Sequence, residues 1–159
     1  MDIRRILVPV DFSGNAQRAL GAAQAFAATF NAELRLLHVV ESSPYEVYVQ
    51  KGFRAHDPFY VPIADTLPGS APHVVVKNLM DEAKVRLDQM AGAGTRSSST
   101  VRHGRPVDEI LREVDAYKPD LVVMCTHGWS GVKHLLLGSV TERIVRQCPV
   151  SVLTVRAQE

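Results

Sequence analysis

Only two cysteines, Cys125 and Cys148, occur among the 159 residues. That excludes the disulfide framework on which small secreted domains rely, and a reduced, intracellular setting fits better. Net charge is equally sparse: eighteen Lys and Arg against seventeen Asp and Glu leave +1 with the histidines neutral. So small an excess gives no general attraction to nucleic acid or to a membrane surface. Long hydrophobic runs are also missing. The stretch Ile6–Val10 is shorter than a signal-peptide core, and nothing approaches the ~20 apolar residues of a membrane span. The expected location is therefore the cytoplasm. No internal repeat is visible, and no Gly-Lys-Ser/Thr loop of the Walker type occurs.

What is present is the composition of an ordinary globular protein, 46% hydrophobic and 22% charged. The length suits a single domain over 1–159 with a core of its own. Ile6-Leu7-Val8-Pro9-Val10 reads as a buried strand, its proline near the end where a missing N–H costs least. Asp11 or Ser13 then caps a helix whose apolar positions Ala16, Ala19, Leu20, Ala23, Ala27 and Phe30 share one face. Leu34–Val40 is a second strand, and Val76 to Met90 mark a second helix. Ser97–His103 reads as a third, edge strand. Pro106 sits at the start of a helix with Val107, Ile110, Leu111 and Val114 on its inner face. Lys118-Pro119-Asp120 breaks it before a fourth strand, Leu121–Met124, and Val150–Val155 is the last strand.

Strands alternate with helices and are continuously apolar, which predicts an α/β fold with a mostly parallel sheet covered on both faces. Residues 41–72 interrupt this order. Pro44, Pro58, Pro62, Pro68 and Pro72 are interleaved there with Tyr45, Tyr48, Phe53, Phe59 and Tyr60. An excursion of that length reads either as a surface loop or as a lid or partner-binding arm.

One stretch carries chemistry. Cys125-Thr126-His127-Gly128 follows the fourth strand, and Gly138-Ser139 precedes the next helix, with Ser139 expected as its N-cap. A strand, a loop with glycines at its ends and a helix N-terminus form a common phosphate-holding arrangement. Glycine lets the backbone approach an anion, and the helix N–H groups and dipole favour negative charge. Asp11, at the end of the first strand, lies where ligands collect in open α/β sheets. Cys125 has a second reading, a thiol activated by a helix N-terminus, although buried cysteine is more often inert packing.

These segments resemble the universal stress protein family. Ile6-Leu7-Val8-Pro9-Val10-Asp11-Phe12-Ser13 is similar to its first strand and turn, and Leu36-Leu37-His38-Val39-Val40 to its second strand. Gly104-Arg105-Pro106 looks like its third junction. The most specific part runs from Thr126-His127-Gly128 through Leu135-Leu136-Leu137-Gly138-Ser139-Val140-Thr141-Glu142 to Cys148-Pro149-Val150. ATP-binding members carry glycine, two residues, glycine, nine residues, then glycine and Ser or Thr. Gly128, the run Trp129 to Leu137, and Gly138-Ser139 match, while Cys125 stands in place of the first glycine. A Cβ and sulfur there would crowd a nucleotide, or strain the backbone if a positive φ were required.

The resemblance implies a five-stranded sheet of order 3-2-1-4-5 with a switch point between strands one and four. It implies an ATP site formed by Pro9, Val10, Asp11, Val39, Met124, Gly128, Gly138, Ser139, Val140 and Thr141. Asp11 would meet the ribose or a magnesium ion, Val39 and Met124 the adenine, and residues 138–141 the phosphates. His127, Lys133 and His134 could add positive charge near a polyphosphate, although a solvated surface position is the expected role of each. The implied role is a small nucleotide-binding stress-response or signalling module rather than an enzyme, with an unidentified protein partner and neither nucleic acid nor membrane. The alternatives are a nucleotide-free interaction protein, with Cys125 marking lost binding, and a slow ATP hydrolase. Val150–Val155, apolar at a sheet edge, is expected to pair with its own copy in a homodimer.

Overall fold

The computed structural model describes residues 2–41, 72–91, 96–126 and 137–156. The elements follow in the order β1 (Arg5–Pro9), α1 (Gly14–Phe30), β2 (Glu33–Glu41), α2 (Pro72–Ala91), β3 (Ser97–Gly104), α3 (Pro106–Tyr117), β4 (Leu121–Cys125), α4 (Ser139–Gln147) and β5 (Ser151–Val155). The five strands form one sheet of order β3-β2-β1-β4-β5, as expected. Every pairing is parallel. The excursion over 41–72 lies almost wholly outside the described residues, and its last proline, Pro72, is the first residue of α2. Among the described residues no helix is long and apolar enough to cross a membrane.

β1 is central, and Ile6, Leu7 and Val8 are fully buried because both faces of the strand are covered. Ile6 and Val8 pack with Ala16, Ala19 and Ala23 of α1 and with Ala83 and Leu87 of α2. Leu7 points the other way, into a second cluster with Ile110 and Val114 of α3 and Ile144 of α4. That two-sided burial is why the strands read as continuous apolar runs. Alanine along α1 lets that helix approach the sheet closely. The chain from α3 into β4 is fixed at the opposite end: Lys118 takes the left-handed conformation with φ 53° and closes the helix. Asp120 Oδ2 then accepts the N–H groups of Arg4 and Arg5 at 2.8 and 2.9 Å.

Helix α3 is held against the β2–β3 side by charge. Glu113 is only 2% exposed. It accepts from Arg35 Nη1 of β2 at 2.9 Å and from Arg102 Nε of β3 at 2.6 Å. Glu109, also buried, pairs with Arg112. Its side chain lies against Gly104, whose φ is 155°; a Cβ there would fall 2.7 Å from Glu109 Oε1. Glycine is thus required twice over in the junction that opens α3, by conformation and by space.

Candidate functional site

Strand order reverses between β1 and β4, and their carboxyl ends open a crevice there. The N-termini of α1, α3 and α4 reach the same end of the sheet. A cavity of about 200 Å³ lies between them. One ordered water takes up ~30 Å³ in liquid, so this is space on the scale of a ligand and not a packing defect. Its walls come from every part of the switch point. Pro9, Val10 and Asp11 continue β1, and Leu37, His38 and Val39 belong to β2. Met124 and Cys125 end β4, Pro106 and Ile110 stand on α3, and Ala16 on α1. Gly138, Ser139, Val140 and Thr141 form the remaining side.

The structure thus brings together nine of the ten residues expected from the sequence; the tenth, Gly128, lies outside the described residues, as do His127, Lys133 and His134. Sequence reasoning missed Leu37, His38, Ala16, Pro106 and Ile110. The Gly104-Arg105-Pro106 junction was visible, but nothing local says that the helix it opens forms a wall of the crevice.

The α4 side supplies donors. Ser139 was expected as the N-cap, but the cap is Gly138, with φ −68° and ψ 153°, and Ser139 is the first helical residue. The reason is the pinning of the preceding chain: Gly138 N–H donates to Thr126 O at 2.6 Å, which fixes residue 138 in an extended conformation. The first bond of the helix runs from Glu142 N to Gly138 O. The N–H groups of Ser139, Val140 and Thr141 precede it and have no intrahelical acceptor, and Gly138, as the cap, brings no side chain to them. They carry the positive end of the helix dipole into the cavity. Thr141 Oγ1 donates to Cys125 O at 2.9 Å, tying α4 to the end of β4.

Asp11 is the acidic wall residue. It is not the cap of α1: Ser13 is, its Oγ accepting from Ala16 N at 3.1 Å. Asp11 Oδ1 accepts from Ser13 N at 3.0 Å and from Ser13 Oγ at 2.6 Å, which orients the carboxylate. Among the described residues there is no group of three or more His, Cys, Asp or Glu that could hold a metal ion. A magnesium ion here would have one protein carboxylate and would depend on ligand oxygens for the rest, a pattern usual for ions bound with phosphates. The opposite wall, made by Val39, Met124, Ile110 and Pro106, is apolar.

Cys125 occupies an ordinary strand position, without the positive φ that would have demanded glycine. Its thiol donates to Val155 O at 3.2 Å across the β4–β5 pair.

The sequence matches the universal stress protein family over residues 2–156. The chain belongs to this family. A universal stress protein of Thermus aquaticus is 32% identical over 155 residues, covering 96% of this chain and 98% of that one. The solved structure of the universal stress protein MJ0577 of Methanocaldococcus jannaschii superposes with a TM-score of 0.78 at 24% identity, covering 100% of this chain and 99% of that chain. A further universal stress protein, crystallised in complex with cAMP, matches with a TM-score of 0.61 at 23% identity, covering 99% and 100% of the two chains. At these identities the structures establish the shared fold, five parallel strands with helices on both faces.

Proposed function

We propose that this universal stress protein binds ATP with Mg2+ in the β1–β4 crevice and acts as a nucleotide-dependent stress-response or signalling module rather than as a catalyst. One observation carries the reading. A single cavity holds an apolar wall at Val39 and Met124, an oriented carboxylate at Asp11, and the three N–H groups that open α4 without an intrahelical acceptor. Those features match the base, the ribose or its metal ion, and the phosphates of one ligand class, and simple core packing gives no reason for them to meet. A relative solved with cAMP supports a nucleotide as the ligand class. Cys125 is compatible with it because its backbone is ordinary strand and its thiol is already engaged with Val155 O.

The module is expected to work as a homodimer joined along β5 and to signal through a protein partner. Titration calorimetry with ATP and magnesium tests the binding. The unmodified protein is expected to bind, and Gly138→Leu to lose binding, because a side chain there blocks close approach of the nucleotide to the backbone. No heat and no co-purified nucleotide from the unmodified protein would sink the proposal. Steady ADP release from bound ATP would move the protein to the slow-hydrolase class.

A further inference from the structure

The turn that presents Asp11 to the cavity passes through a backbone conformation its sequence does not favour. Phe12 has φ 62°, in the left-handed region that residues with a bulky side chain rarely adopt. Such a conformation persists only where the surroundings over-determine it, and it clusters at ligand-holding turns. Glycine or asparagine would adopt it with ease. The chain uses phenylalanine, so the ring is what the position needs.

The ring is buried. It belongs to the core cluster that holds Leu20 of α1 and Leu87 of α2, and among the described residues His38 and Arg86 set their polar groups against it. The His38 imidazole lies with its centroid 4.4 Å away, tilted by 41°. The guanidinium carbon of Arg86, on α2, lies 4.5 Å from the ring centroid, well inside the range of an attractive cation–ring contact. His38 Nδ1 is itself 2.7 Å from Val10 O, and since a carbonyl only accepts, that nitrogen carries the proton. The turn is therefore held at residue 10 by His38, at residue 12 by His38 and Arg86, and at residue 11 by Ser13. Of these holders, Arg86 alone belongs to an element that supplies no wall of the cavity among the described residues.

We infer that Arg86 is a positioning residue for the Asp11 carboxylate, acting through the ring of Phe12. With the cation gone, the ring keeps its place in the core and its contact with His38 but loses one hold, and the backbone is freer to relax toward an ordinary φ, which turns Asp11 away from the ligand. The inference rests on the nucleotide reading above for its binding consequence, but not for the clamp itself.

The test combines binding with amide exchange on the full-length protein. Replacing Arg86 by methionine, of comparable reach but uncharged, is expected to weaken binding of ATP with magnesium about five-fold, and Arg86→Lys to restore it to within about two-fold. In an Asp11→Asn background the same methionine substitution is expected to add nothing. Without any nucleotide, the Ser13 amide, which donates to Asp11, should exchange faster in Arg86→Met than in the unmodified protein. Unchanged affinity together with unchanged Ser13 exchange overturns the inference. So does an equal loss in the Asp11→Asn background, since Arg86 would then act on the fold in general. If the unmodified protein binds no ATP, the functional reading fails while Ser13 exchange still decides the clamp. Arg86→Gln carries the same comparison if the methionine variant does not fold.

Discussion

A thiol closes β4 where ATP-binding family members carry glycine, and its neighbours define what it does. Cys125 needs no special φ, and its sulfur turns toward β5. Restoring glycine is therefore expected to leave ATP affinity unchanged or to raise it, read by calorimetry on Cys125→Gly. A clearly weaker but folded variant would give the thiol a ligand role of its own. The second cysteine is set differently. Burial pushes the Cys148 thiol up from its usual pKa, against a smaller lowering by the Val150 backbone. Raising the pKa shrinks the thiolate fraction at pH 8, and the thiolate is the reactive form. In a Cys125→Ser protein, alkylation of Cys148 should be slow at pH 8 and accelerate as the pH rises past that of an ordinary cysteine. Rapid labelling at pH 8 would contradict the assignment.

Among elements, α3 shows how far local sequence reaches. Its start at Pro106 and its inner face were legible, since proline at the first helical position and a 3.6-residue repeat are local signals. Its part in the cavity was not, because Glu109 and Glu113 gain their meaning only when the sheet brings Arg35 and Arg102 beside them. The error at α4 has the same origin. A serine ahead of an apolar run resembles a cap, yet the bond from Gly138 N to Thr126 O moves that role one residue back. Removing Glu113 tests the α3 anchorage. The two arginines keep 30–32% of their side chains in water. Glu113→Ala should therefore cost about 2–3 kcal/mol, near the lower end for a broken buried pair. A urea midpoint within error of the unmodified protein would show that α3 is held by its apolar face alone.

For the whole molecule, sheet order and layering could be read in advance because each parallel strand, buried on both sides, needs an uninterrupted apolar run. Nine of the ten expected site residues also met in one cavity, since the strand-end positions of Asp11 and Met124 and the helix start at Gly138-Ser139 fix them topologically. The edges are less determined by the chain itself. β5 pairs only with β4 among the described residues, and Val152, Leu153 and Val155 are just partly buried. An apolar edge strand with unpaired backbone groups invites a second copy about a two-fold axis. Sedimentation should therefore give a dimer at micromolar concentration, and Val152→Asp should yield monomers or aggregates. A monomeric unmodified protein would refute self-pairing through β5.

The order of the sheet also sets a timetable. β1 leaves the ribosome well ahead of its partner on one side, β4, which follows more than a hundred residues later, as the bond between Arg4 N and Asp120 across 116 positions makes plain. Until then the growing chain can assemble β1, β2 and β3 with α1 and α2, but the inner strand of the finished sheet is still an open edge. Distant parallel pairings of this kind close slowly and leave sticky intermediates. A chain stalled before Leu121 would therefore carry, as an open edge, the strand that ends up at the centre of the sheet.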